Sequence, residues 1–152
     1  MLNSEDDIKE ECYNLGKINT EEKDMSFKNL MVIKALVCLA FGILFLSIPD
    51  RLLSIFGATL SEGGMFTGRE YGAALFGNLF LCWFARKAIE SDARKAIIIA
   101  LFVYDLIGFV VTTITVIAGI LNPLGWFIVF VYLFFTIGFG YFLVKPSEVK
   151  TA

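Results

Sequence analysis

A single carboxyl, Asp105, stands inside "AIIIALFVYDLIGFVVTTITVIAGI", residues 96–120, a stretch otherwise free of charge. Counted at the helical rise, it lies about 13 Å from the start of that stretch, near the middle of a bilayer. An ionised Asp at the centre of a spanning helix costs roughly 2.5–3.5 kcal/mol on insertion scales. The acid must therefore keep its proton or face partners inside a bundle. The chemistry on offer is a buried site for a proton, a cation or a polar ligand. The plainer alternative is a hydrogen-bond lock that fixes helix register.

Spacing supplies candidate partners. From Asp105, the residues Gly108, Thr112 and Thr115 fall along one stripe of a 3.6-residue helix whose other faces are mostly Ile, Val, Leu and Phe. Upstream, Glu70, Ala74, Asn78, Cys82 and Ala85 recur at about four-residue intervals. Asn78 matches Asp105 in depth, so a hydrogen bond between them is expected, worth about 0.6–2 kcal/mol. The candidate polar or ligand site is therefore Asp105, Asn78, Glu70 and Thr112. Lys34 enters its helix about one turn deep. Its stem could reach the acid, but the expected reading is snorkelling, with the ammonium among cytoplasmic headgroups. Gly68 and Gly72, Ala73 and Gly77, and Gly108 are candidate helix-packing positions, because small residues four apart let helices approach closely.

Other chemistries are poorly provided for. The chain has no histidine, and Cys12, Cys38 and Cys82 are far apart with no CxxC. Histidine-bound metals, a cysteine-rich metal site and thiol–disulfide chemistry are thus not expected, and no cofactor is implied. Cys38 and Cys82 read as small apolar packing residues. An enzyme would need a clustered nucleophile, a metal set or paired acids, and none is visible. With a net charge of −2 and no basic tract, nucleic acid is not an expected partner either.

The elements that must position Asp105 follow from composition. The 152 residues are 57% hydrophobic, with a mean hydropathy of +0.73. A water-soluble domain of this size could not bury so much apolar surface, whereas lipid can solvate it. Four stretches approach the roughly 20 apolar residues of a spanning helix. They lie at about 30–48, 66–86, 93–120 and 123–144. The expected fold is all-α: an integral membrane up-down four-helix bundle over 29–145, with a polar, partly disordered cytoplasmic tail at 1–28 and a short one at 146–152. The first tail holds eight acids and four lysines and no apolar core of signal-peptide length.

Punctuation supports these limits. Pro49 follows the first stretch, Ser91 or Asp92 can cap the third, and "GILNPLG" makes a tight hairpin with Gly119 as stop and Asn122 as the next cap. "DRLLSIFG" reads as one or two turns of interfacial helix ending at Gly57. Gly63 and Gly64 read as a flexible turn. Eleven Lys or Arg fall on one side, and only Arg51 and Arg69 on the other, so both termini are expected in the cytoplasm. Trp83 and Tyr141 near one face, and Tyr71 and Trp126 near the other, suit interfacial belts.

The run from "IPDRLLSIFG" through "REYGAALFGNLFLCWFARKAIESDARKAIIIALFVYDLIG" resembles a broad group of small four-helix prokaryotic membrane proteins without assigned activity. The resemblance covers about residues 30–144. It is carried by Pro49-Asp50-Arg51, by Arg69-x-x-Gly72 and by an Ala-Arg pair before the third helix. The layout is also similar to that of the sterol-biosynthesis scaffold that tethers enzymes in eukaryotic membranes, through topology and Arg69-x-x-Gly72. Neither resemblance implies catalytic residues. A small multidrug exporter is similar in having four helices and one buried acid, but it carries that acid in its first helix and is shorter.

Two functions are expected from these residues. The first is a non-enzymatic membrane protein acting through helix–helix contacts with itself or other membrane proteins. The alternative is a small proton-coupled transporter or polar-ligand-binding protein that uses Asp105. The lipid bilayer is the common partner of both.

Overall fold

The computed structural model describes the backbone of residues 4–144 and the side chains of residues 26–144. The expected tail at 146–152 lies outside the described residues. Five helices and no strand occur among the described residues: α1 (Ser4–Ser47), α2 (Pro49–Ile55), α3 (Glu62–Ala85), α4 (Asp92–Ile117) and α5 (Gly125–Val144). The backbone at 4–28, expected to be partly disordered, is helical and continuous with the first apolar segment. No proline interrupts it, and Glu and Lys, abundant there, are good helix formers.

Local chemistry sets the other ends. Ser61 caps α3 by accepting a hydrogen bond from the Gly64 amide at 3.2 Å. Gly63 and Gly64 are therefore in the first turn of α3, not in a flexible loop ahead of it. Ser91 caps α4 in the same way through the Arg94 amide, also at 3.2 Å. Pro49 takes the first position of α2, where its missing N–H costs nothing. Gly57 and Gly119 end α2 and α4 with φ of 85° and 71°, values that only glycine adopts without strain.

Three segments are long and apolar enough to cross a membrane: Ser26–Ser47, Asp92–Ile117 and Gly125–Val144. Four were expected. The 24 residues of α3 reach about 36 Å, but Arg69, Glu70 and Asn78 dilute its apolar character. Large apolar side chains line the outside of the molecule, Phe84 at 76%, Ile117 at 73% and Ile137 at 63% exposure among them.

The long helices associate in pairs, α1 with α3 and α4 with α5. The first pairing rests on glycine. A Cβ on Gly72 would lie 2.9 Å from the Leu46 backbone nitrogen and 3.1 Å from the Gly42 carbonyl oxygen. A Cβ on Gly68 would lie 3.0 Å from Pro49 Cβ. These positions let α3 settle directly on the α1–α2 backbone, so the packing role expected of Gly68 and Gly72 has a clear geometric basis. Ala73 and Gly77 differ: both are exposed, and nothing lies within 4 Å of a Cβ built on Gly77. Gly108 is in close contact with α5, its Cβ position 2.4 Å from the Tyr132 ring.

The interior is uneven along its length. At one end Phe27, Met31, Cys82, Leu101, Phe135 and Phe139, contributed by all four long helices, form a continuous apolar core. Toward α2, the two helix pairs separate around a cavity of about 470 Å³.

Candidate functional site

The boundary between the packed and hollow halves is marked by two charges. Lys34 on α1 lies one turn beyond Leu30 and Met31 in the core, and Asp105 on α4 lies one turn beyond Leu101. The Lys34 ammonium donates to Asp105 Oδ1, and both side chains are sealed from solvent, at 3% and 0% residue exposure. Lys34 does not snorkel: its Nζ lies 4.5 Å from the Phe135 ring centre, 5.1 Å from that of Tyr104 and 5.9 Å from that of Tyr132. An opposite charge and three π faces inside the bundle replace the headgroup water that snorkelling would have reached. Asp105 Oδ2 has no hydrogen-bond partner among the described residues.

Above this pair sits a node of three tyrosines, one each from α3, α4 and α5. Tyr71 of α3 places its hydroxyl 2.9 Å from that of Tyr104 of α4 and 2.6 Å from that of Tyr132 of α5. The node therefore crosses between the two helix pairs. A tyrosine hydroxyl removed from water needs a partner, and here the three supply it for one another.

The cavity continues from the node to α2. Lys34 and the three tyrosines line its inner end, and Leu52, Leu53 and Phe56 of α2 line its other end. Its walls are chiefly apolar, with Phe41, Phe45, Leu75, Val111 and Ile128 prominent. α2 is held in place by Asn122 in the α4–α5 turn. The Asn122 side chain donates to the Ile55 carbonyl at 2.8 Å, and its backbone amide donates to the Phe56 carbonyl at 2.7 Å. Its Oδ1 accepts from the Leu124 amide at 3.0 Å, as a cap for the turn that leads into α5.

The four residues expected to form one polar track are separated. Asp105 is fully buried behind Lys34 and does not line the cavity, whereas Thr112 lines its wall. Glu70 is exposed and Asn78 half-buried, and neither lines the cavity. No hydrogen bond joins Asn78 to Asp105; the acid's partner comes from α1 instead. The reason lies in the glycines: α3 uses its small-residue face to dock on α1, which brings Lys34 rather than Asn78 to the acid. Cys38 lines the cavity and Cys82 lies in the core. Among the described residues no cluster of His, Cys, Asp or Glu could hold a metal ion.

Two features escaped the spacing argument. Tyr104 and Tyr132 sit away from both ends of α4 and α5, and that position was the available signal. Arg94, counted as a loop charge, is buried at 2% exposure. It lies 4.0 Å over the Phe27 ring, donates to the Ala88 carbonyl at 3.0 Å and pairs with Glu90 at 3.6 Å.

Comparison with curated proteins and with solved structures gives no match. A family model does match, over residues 10–143, which span both helix pairs, the ion pair, the tyrosine node and the cavity. The chain belongs to that family, described as a domain of unknown function, DUF8292.

Proposed function

We propose that this chain is a multi-pass membrane protein that binds a mainly apolar small molecule between its two helix pairs. The reading has the apolar part of α1, together with α3, α4 and α5, crossing the bilayer, and both termini in the cytoplasm. The basic-residue bias supports that orientation. The length of α3 and its close docking on α1 support a fourth crossing. In this topology the packed end faces the cytoplasm, and α2 lies in the outer interface.

The observation that carries the binding proposal is the cavity. Small-molecule sites typically enclose about 300–1,000 Å³, with mostly apolar walls and a few placed polar groups. The 470 Å³ space between the helix pairs has this character. The space is partly open to the surroundings of the molecule, so an occupant can reach it. This reading differs from both expected functions: the ligand expected at Asp105 was polar, whereas the proposed ligand is mainly apolar and leaves Asp105 as the anchor that holds Lys34 at the cavity's inner end.

The test uses purified protein in phosphatidylcholine nanodiscs and a polarity-sensitive naphthyl ketone. Saturable binding is expected. Cys38→Phe, which fills the inner part of the cavity, should weaken it at least tenfold while helix content stays constant. Binding unaffected by Cys38→Phe would remove the proposal.

Self-assembly through helix–helix contacts is a second reading, favoured by the exposed Ala73 and Gly77 on α3. Four residues apart and open to lipid, they would let a neighbouring helix approach closely.

A further inference from the structure

A threonine inside a helix can turn its hydroxyl back on the backbone and donate to the carbonyl one turn earlier. Thr67, Thr113, Thr115 and Thr136 all do so, at 2.6–3.1 Å. Thr112 does not. Among the described residues its hydroxyl has no hydrogen-bond partner, and its side chain is half-buried in the wall of the cavity.

The other polar groups of that wall are already engaged. The Lys34 ammonium is paired with Asp105, and the three tyrosine hydroxyls are bonded to one another. The Thr115 hydroxyl donates to the Val111 carbonyl at 2.7 Å. Cys38 offers only a weak thiol donor. Thr112 is thus the hydroxyl of the lining that stands open to an occupant. It lies on α4 beyond Tyr104, about 12 Å from the level of the tyrosine node at the helical rise. Between the two levels α4 presents Ile107, Gly108 and Val111 to the cavity, an apolar stretch of wall.

The free hydroxyl has two ways of meeting a ligand. Aimed into the cavity, it donates its proton. Turned toward the Gly108 carbonyl, as its neighbours turn toward theirs, it still offers lone pairs. A ligand hydroxyl both donates and accepts, so it suits either position, whereas a ligand carbonyl suits only the first. A charged headgroup is disfavoured. Among the described residues Lys34 is the one charged member of the lining, and Asp105 already neutralises it.

We infer that Thr112 sets the specificity of the cavity, and that the ligand is a neutral aliphatic alcohol. Its hydroxyl meets Thr112 Oγ1. Its apolar body extends toward the tyrosine node, because the longer part of the α4 wall lies on that side. This inference rests on the cavity binding a small molecule, as proposed above.

The experiment uses nanodisc-embedded protein with 1-decanol and decane as matched probes, each corrected for partition into lipid. Decanol is expected to bind roughly three- to tenfold more tightly than decane, the scale of one net hydrogen bond. Thr112→Val keeps the branching of the side chain and removes its hydroxyl. Decane binding should be unchanged in that variant and the preference for decanol lost. Thr113→Val removes a hydroxyl that bonds the Phe109 carbonyl outside the lining, and it should keep the preference. A preference that survives in Thr112→Val, or that is lost equally in Thr113→Val, overturns the role of Thr112 and leaves the cavity proposal standing. Equal binding of decanol and decane by the wild type does the same, as does tighter binding of 2-decanone, decanoate or decylammonium than of decanol. Saturable binding of none of the five overturns both.

Discussion

Lys34 and Asp105 are 71 positions apart and meet as a buried ion pair that ties α1 to α4. The pair joins helices belonging to different helix pairs, at the level where the packed core gives way to the cavity. The ammonium faces the rings of Tyr104, Tyr132 and Phe135, and Asp105 Oδ2 has no hydrogen-bond partner among the described residues.

Breaking one side of this pair should be worse than removing both. Lys34→Met or Asp105→Leu alone leaves an uncompensated buried charge, a loss of about 3–5 kcal/mol. The double variant Lys34→Met/Asp105→Leu should recover most of that loss. Unfolding in mixed micelles of the four proteins in this cycle measures it; additive single effects would show that the charges are not coupled.

The tyrosine node predicts an order of effects. Tyr71→Phe removes both hydroxyl bonds, whereas Tyr104→Phe and Tyr132→Phe each remove one. At about 0.6–2 kcal/mol per bond in a membrane protein, Tyr71→Phe should destabilise about twice as much as either other change. Equal effects in the same micelle assay would contradict the geometry.

Asn122 should control how firmly α2 closes the cavity. Asn122→Ala loses the side-chain bonds to Ile55 and Leu124 while keeping the backbone bond to Phe56. The expected cost is about 1–3 kcal/mol for two neutral bonds. Amide exchange at residues 52–56 should accelerate, with exchange in the core at residues 98–101 unchanged.

The glycines of α3 should divide into two classes. Gly72→Leu places a side chain against the α1 backbone and should disrupt the α1–α3 pairing, lowering the melting temperature sharply. At Gly77 an added Cβ meets nothing within 4 Å, so Gly77→Leu should leave the monomer intact. If the Ala73–Gly77 face mediates self-assembly, Gly77→Leu shifts sedimentation in detergent toward the monomer. No shift would remove that reading.

The sequence was most informative where structure is local. Ser91, Gly119, Asn122 and Pro49 each act at the helix end where a single side chain or backbone angle decides the outcome. The burial of Asp105 among the helices also agrees with its place in one otherwise uncharged apolar stretch. The identity of its partner could not be read from that stretch. Lys34 has a stem long enough to reach either headgroups or the bundle interior, and the choice depends on which helix packs beside it. That choice was made by Gly68 and Gly72, whose small-residue spacing was legible but whose docking partner was not. Sequence order suggested that α3 would face α4; the close fit of α3 on the α1 backbone gave a different pairing. The tyrosine node joins positions 71, 104 and 132, and no periodicity within one helix connects them.

The separation of Lys34 and Asp105 along the chain also has a consequence for biogenesis. In the proposed topology, translation at about 5–20 residues per second would deliver the acid roughly 4–14 s after the lysine. Until then the ammonium in the first apolar segment would lack its counter-charge, a penalty of about 2.5–3.5 kcal/mol at full depth. Emergence of α4 would then add to the segment's own apolar character in fixing its depth.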